Sequence, residues 1–226
     1  MFSTPALSAS VLGALLLNVT GAQAAELDIS ITNATKGIYF TPLLIAAHNV
    51  DHTLFQAGES ASPEIEAMAE GGDISGLSSL ASNAGAIVVE NPAGGILDPG
   101  VTATTTMNTG ELNYLSVTAM LLPTNDGFVG LDSWEIPSQP GSYKVTLNSY
   151  DAGTEANDEL KASMPNPPFI TFGDNGTGVE TTVTNEKIHI HPGNLGDNDP
   201  NGGISDINSS AHRWLNPVAV LTVTVK

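Results

Sequence analysis

The sequence predicts an all-β protein, an antiparallel β-sandwich that carries one or two short helices. Two observations indicate this class. Short segments in which apolar and polar residues alternate recur along the chain, and Gly, Pro and Asn lie between them. In the clearest segment, Leu27, Ile29 and Ile31 alternate with polar residues and so share one face of a strand. About seven or eight short strands with such turns are typical of a sandwich.

Predicted strands dominate the second half of the chain. The expected strands are 27–32, part of 38–47, 87–89, 101–106, 112–122, 128–136, 143–150, 188–191 and 218–225. Segments 101–106 and 112–122 are expected to form a hairpin around the turn signal Asn108-Thr109-Gly110. Ser62-Pro63-Glu64 is a typical helix start, so short helices are expected within 63–82.

The chain is strongly acidic, with 24 Asp and Glu residues, 6 Lys and Arg residues and a formal net charge of −18. Such a surface repels phosphates of nucleic acids and anionic lipid head groups, so no nucleic-acid partner is expected. Dense carboxylates suit either solubility or the binding of hard cations such as calcium. Cysteine is absent, which excludes disulfides, thiol catalysis and zinc–thiolate sites.

The N-terminal residues predict export. An apolar run at Val11–Leu17 precedes Ala22-Gln23-Ala24, whose small residues at alternate positions form a cleavage pattern. We expect a signal peptide at 1–24 and one β-sandwich domain at 25–226, in a secreted or periplasmic protein. The apolar run is too short to span a bilayer, so no direct membrane insertion is expected after signal cleavage.

Two loops rich in carboxylates are the main candidates for a site. Loop 123–132 contains Asp126, and segment 150–159 contains Asp151. Because consecutive antiparallel strands alternate in direction, the two aspartates are expected at the same end of the sandwich. Facing loops can supply the several oxygens that a calcium ion needs. The alternative is that both aspartates only shape turns, which Asp favours in its own right.

Motifs in these loops carry a resemblance to a known family. The first contains Phe128-Val129-Gly130 followed by Asp132, and the second is Tyr150-Asp151-Ala152-Gly153-Thr154. With both motifs at this spacing, the chain resembles the spondin N-terminal domain family from about Leu27 to Val225. The resemblance implies a β-sandwich like that of calcium-dependent lipid-binding modules, in which loops at one end bind a calcium ion.

The resemblance also implies which residues bind this ion. The implied ligands are the carboxylates of Asp126 and Asp151 and the backbone carbonyl of Leu122. Animal members of the family take a further carboxylate from the strand before the first loop. The corresponding stretch here, Met107-Asn108, contains no acid, so Glu111 and Glu155 are the candidates for that ligand.

A second acidic segment has the beginning of a calcium-loop pattern. Asp197, Asp199 and Asn201, followed by Gly202, match the D-x-D-x-N-G start of such loops. The pattern then fails, because Asn208 occupies the twelfth position, where a glutamate is expected. These residues are compatible both with a second calcium site and with an ordinary solvated loop.

Two histidines form the remaining metal candidate. His189 and His191 are two residues apart on a predicted strand, so both rings are expected on one face. Such a pair can hold a transition metal together with Asp197 or Asp199, and His48 and His52 are further candidate partners. The alternative is two ordinary histidines, one of them hydrogen-bonded to the nearby acidic loop.

The expected function is that of an exported, non-enzymatic, calcium-binding module that contacts an unidentified matrix or cell-surface partner. The sequence contains no nucleophile elbow and no phosphate-binding glycine loop. A metal-dependent enzyme centred on His189 and His191 is one alternative, and convergence of His48 with them would favour it. A carbohydrate-binding sandwich is the other, and it requires Trp134 and Trp214 to be exposed platforms.

Overall fold

The computed structural model describes residues 25–165, 187–199 and 203–226. These residues form ten strands and three short helices. In chain order the elements are β1 (Glu26–Asn33), β2 (Tyr39–Phe40), β3 (Leu44–His48), α1 (Pro63–Gly71), α2 (Ser75–Asn83), β4 (Ile87–Glu90), β5 (Thr102–Asn108), β6 (Tyr114–Leu122), β7 (Gly127–Glu135), β8 (Gly141–Asp151), β9 (His189–Ile190), α3 (Ser209–His212) and β10 (Ala219–Val225). The expected signal peptide and Asn201 lie outside the described residues.

The strands pair antiparallel in the order β4-β3-β6-β7-β8-β10-β1-β5, with β2 on β6 and β9 on β8. β8 joins two layers, because its residues 141–147 pair with β10 and its residues 148–151 pair with β7. The first and last strands are neighbours, and Ile29 faces Val223 in their register. The predicted all-β antiparallel fold is therefore confirmed.

The main core lies between the two layers. β1 and β10 contribute alternate residues such as Ile29 and Val223, which join Val117 of β6 in one buried cluster. β6 is buried on its other face as well, where the hydroxyl of Thr118 donates to the sulfur of Met68 in α1 (3.1 Å). Burial on both faces explains why the β6 sequence is almost continuously apolar.

α1 covers this outer face of β6, and α2 packs beside it against β3 and β4; both lie within the segment where helices are expected. α1 begins after Ser62, whose hydroxyl accepts the N–H of Ile65 (3.2 Å). At the start of α2, the carboxylate of Asp73 accepts the N–H of Ser75 (2.9 Å). The third helix, α3, is a single turn capped by Asn208 that the sequence analysis did not anticipate, because a four-residue helix leaves no apolar periodicity.

The predicted hairpin between 101–106 and 112–122 is wrong. β5 pairs with β1, whereas β6 pairs with β3 and β7 in the other layer. The turn itself forms: the N–H of Gly110 donates to Oδ1 of Asn108 (2.9 Å), and Gly110 has φ 57°. It carries the chain across the sandwich instead of folding it back, because turn residues set a change of direction and not the partner strand.

Candidate functional site

The candidate site lies where β7 begins and β8 ends. Gly127 pairs with Asp151 in the β7–β8 register, so Asp126, one residue earlier, lies beside the end of β8. The N–H of Ala152 donates to the carbonyl of Asp126 (3.1 Å) and extends this pairing by one step. On the other side of β8, His189 of β9 pairs with Asp151. The two aspartates share one end of the sandwich, as the strand directions predict.

An aromatic cluster holds the two strand ends together. The rings of Phe128 and Tyr150 stack with centroids 5.5 Å apart, and Phe55 lies edge-on to them at 5.0 and 4.9 Å. A Cβ at Gly130 would come within 2.6 Å of the Phe55 ring and 2.9 Å of the Tyr150 ring. The aromatic and glycine residues of the two motifs therefore support the carboxylates. Phe55 comes from a loop, and no sequence signal marked it.

The turn after Asp151 requires glycine. Gly153 has φ 73°, and a Cβ there would lie 2.6 Å from both the backbone nitrogen and the carbonyl oxygen of Lys187. This close approach packs the segment before β9 against the loop after β8. The next two backbone N–H groups, of Thr154 and Glu155, then point back to the carboxylate of Asp126.

The carboxylate of Asp126 is fully buried, and its two oxygens differ in their hydrogen bonds. Its Oδ2 accepts the N–H of Thr154 (2.8 Å), the hydroxyl of Thr154 (3.2 Å) and the N–H of Glu155 (3.0 Å). Its Oδ1 is buried and has no hydrogen-bond partner among the described residues. Burial first, and the charge of Asp151 second, raise the pKa of Asp126 to about 6. Among the described residues, no Lys, Arg or His forms an ion pair with Asp126.

The carboxylate of Asp151 is also fully buried. Its Oδ1 accepts the N–H of Gly153 (2.8 Å), and its Oδ2 accepts the side-chain amide of Asn157 (2.6 Å). The Nε2 atom of His189 lies 3.7 Å from the same Oδ2. Since each carboxylate oxygen has two lone pairs, each retains acceptor capacity for a cation.

Glu155 is the third carboxylate at this end. Its side chain is buried, and its Oε2 has no hydrogen-bond partner among the described residues. Burial, followed by the charges of Glu70 and Asp126, raises the pKa of Glu155 to about 8. Of the two sequence candidates for a further ligand, Glu155 is the one that the fold brings to the site. Glu111 lies in the turn before β6, at the opposite end of that strand from Leu122.

These oxygens fit a hard divalent cation such as calcium. Among the described residues, two buried carboxylate oxygens have no hydrogen-bond partner, one on Asp126 and one on Glu155, and the adjoining charges repel one another. Leu122 ends β6 four residues before Asp126, so its backbone belongs to the same end of the sheet. Within residues 25–165, 187–199 and 203–226, no three His, Asp or Glu side chains are already arranged around a metal position. A cation here would be held by carboxylate oxygens of Asp126 and Asp151 and by backbone carbonyl oxygens.

The second acidic loop has a structural role in this arrangement. Asp197 accepts the N–H of Asp199 through Oδ1 (2.9 Å) and the N–H groups of Ile204 (2.8 Å) and Ser205 (3.0 Å) through Oδ2. These bonds, the one from Ser205 foremost, lower the pKa of Asp197. The carboxylate of Asp197 thus binds its own loop, and Asp199 is exposed. The side chain of Asn208, at the twelfth position, caps α3 instead of facing the loop.

The two histidines lie near Asp151 but differ in environment. His191 is buried against the indole of Trp214 (ring centroids 5.0 Å apart), and burial lowers its pKa to about 4. Its Nδ1 accepts the N–H of Gly193 (3.0 Å), so the ring proton of the neutral imidazole is on Nε2. Its Nε2 is buried and has no hydrogen-bond partner among the described residues. A metal at Nε2 would place the ring proton on Nδ1 and so break the bond from Gly193.

His48 does not converge with the histidine pair. It ends β3 opposite Tyr114, at the far end of β6 from Leu122. Its Nε2 lies 2.8 Å from the hydroxyl of Ser116, and its Nδ1 lies 2.8 Å from the carbonyl of Asn49. The structure therefore does not bring His48 to the His189 and His191 pair, which is the convergence that would favour the metal-dependent enzyme.

The two tryptophans are not a pair of exposed platforms. Trp214 is 6% exposed, and its indole N–H donates to the hydroxyl of Ser149 (2.9 Å). Trp134 is half-buried and contacts Tyr143, with ring centroids 6.5 Å apart. This arrangement lacks the flat aromatic surface that the carbohydrate-binding alternative requires.

Glu159 is a buried residue that the sequence analysis did not single out. Its carboxylate accepts the N–H groups of Leu195 and Gly196 and the hydroxyl of Ser205 (2.6 Å). Its own N–H donates to the side chain of Asn125 (3.3 Å). Glu159 therefore ties the loop after β8 to the segment after β9. Only its place in an acidic stretch could have marked it.

The fold and this site define an antiparallel β-sandwich module with carboxylate-rich loops at one end. A sequence model of the family described as Spondin_N matches residues 32–170, which include both motifs. This stretch is more than half of the 226 residues, so the chain belongs to the spondin N-terminal domain family, an extracellular type of module. None of the curated proteins matches the chain. In the part of the chain that the structure describes, no helix is long and apolar enough to cross a membrane.

Proposed function

We propose that this protein is an exported, non-enzymatic, calcium-binding module that makes contacts with a matrix or cell-surface partner. The observation that carries the proposal is the pair of fully buried aspartates, Asp126 and Asp151, at neighbouring strand ends. Two buried carboxylates held close repel one another unless a cation or a proton compensates them. Membership of an extracellular family is consistent with a compartment in which calcium is abundant.

Calcium has a direct structural use at this position. It would neutralise Asp126 and Asp151 and so hold the start of β7 to the end of β8. Both strand ends lead into loops, and Glu159 already ties the loop after β8 to Leu195, Gly196 and Ser205. A bound ion would therefore stiffen the whole loop surface at this end.

The loop surface is suited to contact with a partner. Three large apolar side chains on the tied loops are strongly exposed: Leu160 (41%), Leu195 (70%) and Ile204 (92%). A contiguous exposed apolar patch rimmed by polar residues marks an interaction surface, and these three side chains are the candidates for such a patch. We assign the contact surface to this end of the sandwich, next to the proposed calcium site.

Thermal melting tests the calcium site. If calcium binds only the folded chain, each tenfold excess over its dissociation constant adds about 1.4 kcal/mol to the free energy of unfolding. We expect wild type to melt at a higher temperature in calcium than in chelator. Asp151→Asn keeps the shape but removes a charge, so it should lose most of this difference.

The control is Asp98→Asn, at an exposed turn, which should retain the full calcium response. Binding of the protein to intact cells or extracted matrix, in calcium and in chelator, tests the contact role. Equal melting temperatures in both buffers, with no calcium uptake by calorimetry, would refute the calcium site. If the protein takes up calcium but its binding to cells and matrix is the same in calcium and in chelator, the contact role alone is refuted.

A further inference from the structure

The free edge of the sandwich at β5 is the feature that the proposed function leaves unused. β5 pairs with β1 through seven consecutive residue pairs, from Glu26 with Asn108 to Thr32 with Thr102. On its other side it pairs with no strand among the described residues, because it ends the strand order. It therefore presents a row of backbone N–H and C=O groups that another strand could use.

β5 lacks the features that normally protect such an edge. Its sequence, Thr-Ala-Thr-Thr-Thr-Met-Asn, contains no charge and no proline, and its register with β1 has no bulge. The opposite edge, β4, is protected: it has four residues, ends in Glu90 and packs against α2. The carboxylate of Glu90 also accepts the hydroxyl of Ser78 in α2. None of the chain's 24 acidic residues lies within β5.

We propose that β5 pairs with β5 of a second copy of this chain, antiparallel and with Thr105 opposite its own equivalent. The strand is self-complementary in this register. Thr104 then faces Thr106 of the second copy on the outer side, where Thr–Thr pairs are favourable across strands. On the inner side Ala103 faces Met107, a small residue against a large one.

The inner side adds little hydrophobic burial, because Ala103 and Met107 are already only 7% and 4% exposed, so backbone hydrogen bonds between the edges carry the pairing. Ala103 and Met107 are buried at the rim of the main core, and Thr105 between them is half-buried. A second β5 would extend both the sheet and this rim, and no like charges would face each other along β5. The result is one continuous sheet. The strand order β8-β10-β1-β5 of one copy continues, across a two-fold axis between the two β5 strands, into β5-β1-β10-β8 of the second copy.

The dimer is expected to be weak and dependent on salt. A single pair of strands forms a small interface, which places it with transient complexes. Each copy carries a net charge of −18, so the two copies repel at low ionic strength, and added salt screens this repulsion. Sedimentation should show association that increases with protein concentration and with sodium chloride.

The absence of cysteine allows a sharp test of the register. Thr105→Cys places one thiol opposite its own copy, at a Cα separation that antiparallel pairs and disulfides share. With diamide as the oxidant, this variant should form disulfide-linked dimers at least roughly tenfold faster than Thr222→Cys. Thr222 lies on the same sheet, in the interior strand β10. Thr104→Cys should be slower than Thr105→Cys, because residue 104 faces residue 106.

A charge variant gives an independent readout on the cysteine-free chain. Replacing Thr104 and Thr106 with lysine places lysines opposite each other across the axis and should abolish the association in sedimentation. The same two changes at Thr222 and Thr224 add equal charge away from the edge and should leave it intact. The proposal is overturned if the protein stays monomeric at high concentration and high salt, or if residues 105 and 222 cross-link at the same rate.

Discussion

Gly127 lies opposite Asp151 in the β7–β8 pairing, and this one register determines the candidate site. It places Asp126 beside the end of β8 and allows the N–H of Ala152 to donate to the Asp126 carbonyl. A shift of one residue would turn the carboxylate of Asp151 to the other face of the strand. The aromatic cluster of Phe55, Phe128 and Tyr150 stabilises this register, because Phe128 and Tyr150 face each other in the same pairing.

The first prediction concerns Gly153, the glycine of the second motif. Gly153 and Gly94 share φ 73°, but a Cβ at Gly94 would meet no atom within 4 Å, whereas one at Gly153 would meet the Lys187 backbone at 2.6 Å. Gly94→Ala should lower the free energy of unfolding by about 1 kcal/mol, the cost of a left-handed alanine. Gly153→Ala should lower it by roughly 3 kcal/mol or more. Urea denaturation of both variants measures this, and equal losses would contradict it.

The second prediction concerns pH and Glu155. The pKa of Glu155 is raised to about 8, so in the absence of calcium the folded state binds a proton that the unfolded state has released. The free energy of unfolding should therefore fall as the pH rises from about 7 to about 8.5. The lowered pKa of His191 makes the free energy of unfolding rise with pH, but mainly between about 4 and 6.5, below the pH range of this test.

Glu155→Gln provides the control for this pH dependence. The variant cannot titrate, so its metal-free stability should change much less between pH 7 and 8.5 than that of wild type. Saturating calcium should also reduce the fall in wild type, because the ion competes with the proton. Chemical denaturation in metal-stripped buffer measures both effects. A stability that rises over this window in wild type would show that the sign is wrong.

The third prediction separates the two acidic loops. Asp197 accepts three backbone N–H groups of its own loop, so Asp197→Ala should destabilise the chain. Its melting temperature should nevertheless increase on addition of calcium as much as that of wild type. Asp151→Asn should show the reverse, a lost calcium response. If Asp197→Ala removed part of the calcium response, the acidic loop would be a second calcium site.

The fourth prediction concerns export. The cleavage pattern Ala22-Gln23-Ala24 predicts a mature N-terminus at Ala25 in the secreted or periplasmic fraction. Intact-mass measurement of the exported protein checks this. A protein that retains Met1 and stays in the cytoplasm would contradict both the cleavage and the proposed contact role.

Strand alternation was sufficient to predict the all-β class and the position of the two aspartates, because both depend on local patterns. Apolar residues at every second position specify a strand, and strand direction specifies which end of the sheet each loop occupies. The helix start at Ser62 was predictable for the same reason, since its capping contacts involve neighbours in sequence. The family resemblance was carried by two local motifs, and the family match to residues 32–170 confirms it.

The partners that are distant in sequence were decided only by the tertiary structure. β5 pairs with β1 rather than β6 because its inward residues complete the core beside β1, which no local turn signal encodes. Phe55 reaches the motif aromatics from a loop more than seventy residues before Phe128. The uncompensated burial of Glu155, which distinguishes it from Glu111, likewise depends on chain segments packed around it. A sequence specifies local conformation through neighbouring residues, whereas burial and long-range contacts exist only after the chain has folded.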